Sequence, residues 1–286
     1  MTQLLLDADC LLEISSNMWP TLQNLYSSKK TESIGYNLIK NYVEWIDKKI
    51  NLDVKCFTID EDWRKDGTFI MIAKHGGISD YVYFNTLSED FDRLIRLLYA
   101  FITQTKVPLF LYGYGGRLKS AVDDCIRRLS SKKFHETVKT AWYKASKELV
   151  ATFSTEAPPG ITLRKLEIED AETVNELWPH HTKRSIKFVK HVIENDLTIA
   201  ACDSNGKLLA WCLRLPLGSL GLLQVMPSQK RLGLGSLMVR VLSKKIAEQD
   251  LDVFAPVVTE NTPSRRMFEK LGFQKIDNIY WTLEEY

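Results

Sequence analysis

Residues 225–236 read Val225-Met226-Pro227-Ser228-Gln229-Lys230-Arg231-Leu232-Gly233-Leu234-Gly235-Ser236. The stretch follows a strand-like apolar run, Leu220 to Val225. It leads into a run of helical period: Leu234, Leu237, Met238, Val241, Leu242 and Ile246. A strand that turns through a basic, glycine-containing loop into a helix presents free backbone N–H groups and the positive end of the helix dipole. Such a place holds phosphate. Gly233 and Gly235 remove Cβ atoms that would block a pyrophosphate, and Lys230 and Arg231 add charge-assisted donors.

Two common phosphate motifs do not fit. A P-loop places lysine directly after its last glycine, whereas Ser236 follows Gly235. A dinucleotide fingerprint needs a third glycine where Met238 stands. A second block lies downstream, Asn261-Thr262-Pro263-Ser264-Arg265-Arg266-Met267-Phe268-Glu269-Lys270-Leu271-Gly272-Phe273. Thr262 suits a helix cap, Pro263 the first helical turn and Gly272 the left-handed residue after the helix.

Together the two blocks, separated by one strand (Leu251 to Val258), resemble the two signatures of the GCN5-related N-acetyltransferases. In that family the loop binds coenzyme A. Lys230 stands where the family usually has arginine or glutamine. The resemblance covers about Ile161 to Tyr286. Its implied fold class is α/β (α+β), a mixed, mostly antiparallel sheet flanked by helices.

Element order extends the expectation to the whole chain. Thr155 to Gly160, with two prolines and a glycine, reads as a linker. After it come a strand (Ile161 to Leu166), two helices (Ile168 to Trp178, Thr182 to Asn195), three strands ending at Met226, then the blocks above and a last strand, Gln274 to Leu283. Asp203-Ser204-Asn205-Gly206 reads as a hairpin turn. The first half repeats this order: a strand at Gln3 to Leu6, helices at Cys10 to Tyr26 and Tyr36 to Ile50, and three strands from Val54 to Thr86. A helix (Phe91 to Thr103), a strand (Val107 to Tyr112), a helix (Leu118 to Leu129) and a strand from Phe134 follow. The chain therefore reads as a tandem pair, with a degenerate copy in 1–154 and the acyl-CoA-binding copy in 161–286. Where the second copy has its glycine loop, the first has Asn85-Thr86-Leu87-Ser88-Glu89-Asp90, with two acids and no glycine. The run Tyr112 to Arg117 is read as a tight turn. Glu148 to Ser154 is assigned to the strand that the second copy lacks.

The tandem order and Trp178-Pro179 resemble the glycine N-acyltransferase-like branch. This implies transfer of an acyl group from acyl-CoA or acetyl-CoA, as cosubstrate, to a small-molecule amine such as glycine or another amino acid. The resemblance assigns Val225, Met226, Lys230, Arg231, Leu232, Gly233, Leu234, Gly235, Ser236, Asn261, Arg265 and Phe268 to the cofactor. The branch's catalytic glutamate falls on Ser219, which offers no carboxylate, and many relatives' tyrosine falls on Phe268, which offers no proton. Gln224, Glu260 and Ser219 are the catalytic candidates, and His180 and His181 the candidates for the acceptor side. The alternative is a catalytically weak acyl-CoA-binding or regulatory protein.

At 286 residues, 45% apolar and 26% charged, the chain is globular and long enough for two domains. A net charge of +2 argues against nucleic acid as the main partner. No run reaches the roughly 18 apolar residues of a membrane span. The five cysteines show no metal-ligand spacing, so no metal is expected and they read as buried, reduced thiols. The N-terminal residues resemble neither a signal nor a transit peptide, making the cytosol the expected compartment and the mitochondrion the alternative.

Overall fold

The computed structural model describes residues 9–30, 34–51, 53–74, 79–129, 131–182 and 184–285. In chain order its elements are β1 (Leu12–Glu13), α1 (Trp19–Leu25), α2 (Ile34–Asp47), β2 (Val54–Thr58), α3 (Trp63–Asp66), β3 (Phe69–Ala73), β4 (Asp80–Asn85), α4 (Asp92–Gln104), β5 (Leu109–Gly115), α5 (Lys119–Arg128) and β6 (Phe134–Ala145). There follow α6 (Lys147–Ala151), β7 (Thr162–Arg164), α7 (Ala171–Glu176), α8 (Ile186–Asn195), β8 (Thr198–Cys202), β9 (Leu208–Arg214), β10 (Leu220–Val225), α9 (Leu234–Ala247), β11 (Val253–Val258), α10 (Thr262–Lys270) and β12 (Gln274–Glu284). The expected strand at Gln3 to Leu6 lies outside the described residues. Among the described residues no helix is long and apolar enough to cross a membrane.

The chain forms two compact units. One comprises Met1–Lys74, Ile78–Lys139 and Asn278–Tyr286; the other is built from Thr140–Asp277. These bounds differ from a division at 155–160 at both ends. The arm 140–154 belongs to the second unit and the C-terminal residues from Asn278 to the first.

In the first unit β1, β2, β3 and β4 pair in order, all antiparallel, and β4 pairs with β5 in parallel. The end of β12, Ile279 to Leu283, then adds to β5 antiparallel. The parallel step follows from the crossover α4, whose Leu94, Leu97, Leu98 and Phe101 are buried against Ile70, Val82 and Leu111. α2 buries Leu38, Ile39, Tyr42 and Trp45, with Asn37 and Asn41 on the same side, while Val43 and Ile46 are half-buried. The expected helix from Cys10 to Tyr26 is interrupted. β1 occupies Leu12–Glu13, paired with β2, and only Trp19–Leu25 is α-helical.

In the second unit β7, β8, β9 and β10 form an antiparallel sheet with β10 at its edge. The hairpin at Asp203 forms as its chemistry requires. Asp203 Oδ1 accepts from the N–H groups of Asn205 and Lys207, both at 2.9 Å, and Gly206 has φ of 81°. α9 buries all six of its periodic apolar residues. β11 pairs with Thr140 to Ala145 of β6 and not with β10. Glu148 to Ser154 therefore does not supply the missing strand. Ser146 caps a helix there, its side chain accepting from Leu149 N–H, and residues 147–151 coil into α6.

Candidate active site

β10 reaches the site with a defect in its ladder. Gly221 pairs with Leu213 and Gln224 with Trp211, so Leu222 and Leu223 together oppose Cys212. Leu222 takes up the irregularity at φ 47°. Because β11 pairs elsewhere, the outer edge of β10 beyond this bulge keeps backbone groups for a ligand.

The loop continues the edge. Pro227–Gln229 forms a single tight turn closed by Gln229 N–H to Met226 O at 2.8 Å. Arg231 and Gly233 then both adopt left-handed backbone, at φ 68° and 79°. Such a reversal turns successive N–H groups toward one side, as in anion-binding nests. α9 starts after Gly233 with no side-chain cap, so Leu234, Gly235 and Ser236 keep N–H groups without a helical acceptor. Pro227, Ser228, Lys230, Arg231, Leu232 and Gly233 are exposed. A Cβ on Gly233 would meet nothing within 4 Å. These features fit a pyrophosphate-bearing ligand: a rim of donors, two cationic side chains and open space over the backbone.

The structure brings most of the expected residues to this edge. Val225, Met226 and Gln224 lie half-buried at the end of β10. Phe268 is buried in α10, its ring stacked on Tyr143 and edge-on to Phe273. Tyr143 donates to Glu269 Oε1 at 2.7 Å; burial, then that hydrogen bond, raises its pKa. Asn261, and not Thr262, caps α10 through Oδ1 to Ser264 N–H, which places Thr262 at the first helical position. Arg265 donates to Thr259 O at 3.0 Å, tying its guanidinium to the turn between β11 and its own helix.

The remaining candidates sit apart. Glu260 is exposed in the turn after β11. His180 and His181 are exposed between α7 and α8, with His181 Nδ1 held 2.8 Å from Trp178 O. Ser219 is 1% exposed at the start of β10, and its hydroxyl has no hydrogen-bond partner among the described residues. Sequence reasoning missed Trp211, which shares that condition at its Nε1 atom and faces Gln224. In an apolar run a tryptophan reads simply as core.

In the first unit the loop after β4 is closed from within. Arg117 donates to Thr86 O at 2.6 Å and Ser88 O at 2.7 Å and lies over the Phe91 ring. The tight turn expected over Tyr112 to Arg117 does not form as such: β5 runs on to Gly115, where Tyr114 and Gly115 pair with β12, and Arg117 stands in the single turn that follows, Gly116–Leu118.

Residues 199–282 match the model of the FR47-like protein family. No curated protein matches the chain. Among solved structures, a Drosophila protein is 22% identical with a TM-score of 0.83, covering 96% of this chain and 98% of its own. A tandem GNAT protein from the clavulanic acid biosynthesis pathway is 11% identical with a TM-score of 0.61, covering 96% and 98%. A GCN5-related N-acetyltransferase from Sphaerobacter thermophilus is 11% identical with a TM-score of 0.58, covering 97% and 95%. The mixed sheet, the bulged edge strand and the uncapped helix after it agree with these likenesses: the fold is that of the GCN5-related N-acetyltransferases.

Proposed function

We propose that the protein is an acyl-CoA-dependent N-acyltransferase whose second unit binds the donor, with glycine or another amino acid as acceptor. The observation that carries this reading is the edge of β10 running through the Arg231–Gly233 reversal into the uncapped start of α9. The N–H groups of residues 231–236, with Lys230 and Arg231, hold the pyrophosphate. Backbone donors from Gln224 to Met226 hold the pantetheine arm and polarise the thioester carbonyl; fixed donors of this kind contribute a few kcal/mol to a transition state.

The acceptor amine attacks the carbonyl carbon directly. The C–N bond forms, the C–S bond breaks, and the proton lost by the amine balances the one gained by the thiolate. Neutralising a lysine-like amine of pKa near 10.4 at pH 7.4 costs about 4 kcal/mol, and a less basic α-amine costs less. Ser219 and Phe268 supply neither a carboxylate nor a proton, so solvent relayed past Gln224 exchanges both. A covalent cysteine intermediate is disfavoured: Cys212 is fully buried and desolvation pushes its thiol up to about 12.

The test is thermal unfolding with coenzyme A, acetyl-CoA and longer acyl-CoAs, followed by turnover with amines. Ligand at a hundred times its dissociation constant adds about 2.7 kcal/mol. Stabilisation plus N-acylated product supports the enzyme. Stabilisation without product for any amine favours the second reading, an acyl-CoA-binding regulator, to which Ser219 and Phe268 point. No stabilisation by any coenzyme A species removes both.

A further inference from the structure

Trp211 is fully buried, and its indole Nε1–H has no hydrogen-bond partner among the described residues. An indole nitrogen can only donate. Buried donors are nearly always satisfied, so an orphan of this kind calls for a partner from outside the fold.

Its position says which partner. Trp211 and Gln224 are directly opposed on β9 and β10, so their side chains share one face of the sheet. Val225, the next residue along β10, packs its Cγ2 3.5 Å from where a Cβ on Gly235 of α9 would sit, so Gln224 projects from the other face. Trp211 and Gln224 therefore stand on the face turned away from α9. The Gln224 pair is where the ladder resumes after the bulge, on the same edge strand that leads into the glycine loop. The indole and the carboxamide thus offer two neutral N–H donors on one face of the sheet, next to the strand edge that leads into the glycine loop.

We propose that Trp211 and Gln224 form the acceptor-recognition pair, and that they bind an oxygen carried next to the acceptor's amine, a carboxylate or an amide carbonyl. This rests on the acyltransferase reading of the cleft. It defines the substrate class as amino acids and their amides, and excludes simple alkylamines as good acceptors. Trp211 acts by holding the acceptor and takes no part in the proton transfers.

Product analogues separate this proposal from the function itself, because they report binding without turnover. Calorimetry on the coenzyme A-loaded protein would compare N-acetylglycine (a carboxylate), N-acetylglycinamide (an amide) and N-ethylacetamide (neither). The wild type is expected to bind at least one of the first two roughly 5- to 30-fold more tightly than the third, the scale of one buried hydrogen bond. Trp211→Phe, which keeps the ring and loses the N–H, is expected to abolish that preference while coenzyme A affinity is unchanged. Should the phenylalanine variant fold poorly, Gln224→Met reads the same loss. A preference that survives in Trp211→Phe, or a wild type that shows none, overturns the proposal. Intact preference without turnover of any amine would overturn the enzyme reading alone and leave the pocket standing.

Discussion

The sulfur of Met267 lies 3.5 Å from the place a Cβ would occupy on Gly235. Val225 Cγ2 lies at the same distance. Both are ordinary van der Waals separations, so the protein's own packing does not require glycine there. Gly235→Ala is accordingly expected to leave the unliganded protein as stable or about 1 kcal/mol more stable, the gain of alanine over glycine in a helix. Its affinity for coenzyme A is expected to fall at least about tenfold, because the methyl group stands between the ligand and the N–H groups. Melting curves with and without coenzyme A check both halves of the statement.

Arg231 is the charged residue of the loop with left-handed backbone. Arg231→Glu places an anion beside the expected pyrophosphate and should weaken coenzyme A binding by roughly tenfold or more. Glu260→Gln, in the exposed turn after β11, should change it by less than about twofold. Equal affinities for wild type and Arg231→Glu in a calorimetric titration would show that the ligand is held elsewhere.

Arg117 satisfies two carbonyls in the loop of the first unit. Arg117→Ala should destabilise that unit by about 1–2 kcal/mol. The wild-type stoichiometry of coenzyme A is expected to be one per chain, since an arginine side chain and the acids Glu89 and Asp90 already occupy this loop. Chemical denaturation measures the first, and titration against a known protein concentration the second.

Arg164 holds Asp170 through two hydrogen bonds, at 2.6 and 2.9 Å. Burial acts to raise the Asp170 pKa, but hydrogen bonding from Arg164, the Glu167 N–H and the guanidinium charge outweigh it, and the net shift is downward. A carboxylate depressed in the folded state contributes stability above its unfolded value, near 3.9, and loses it as the pH falls through the folded value. Asp170→Asn should therefore lower stability by about 1 kcal/mol at pH 7. The difference from wild type should shrink below about pH 4. Urea melts at pH 7 and pH 3 give the comparison.

Much of the site was legible because its signals are local. The glycine loop between strand and helix, the periodic face of α9 and the stop at Gly272, with φ of 87°, all follow from neighbouring residues. What escaped is long-range. The strand beside β11 comes from Thr140 to Ala145, and an apolar run carries no mark of its pairing partner. Leu222 and Leu223 read as plain strand, and only the register with β9 reveals the bulge. Arg117 sits just past the glycine-rich end of β5, yet its role is set by carbonyls about thirty residues earlier. Trp211 is masked by its own chemistry, since a core residue and a buried donor share one letter.

The course of β6 and β12 has a consequence for how such a protein arises and persists. β6 starts in the first unit and ends in the second, and β12 does the reverse. A gene cut at the proline-rich segment would leave the first product without Ile279 to Leu283 and the second without Thr140 to Ala145, each with a raw strand edge. Divided there, neither unit can be inherited, lost or recombined as a separate module.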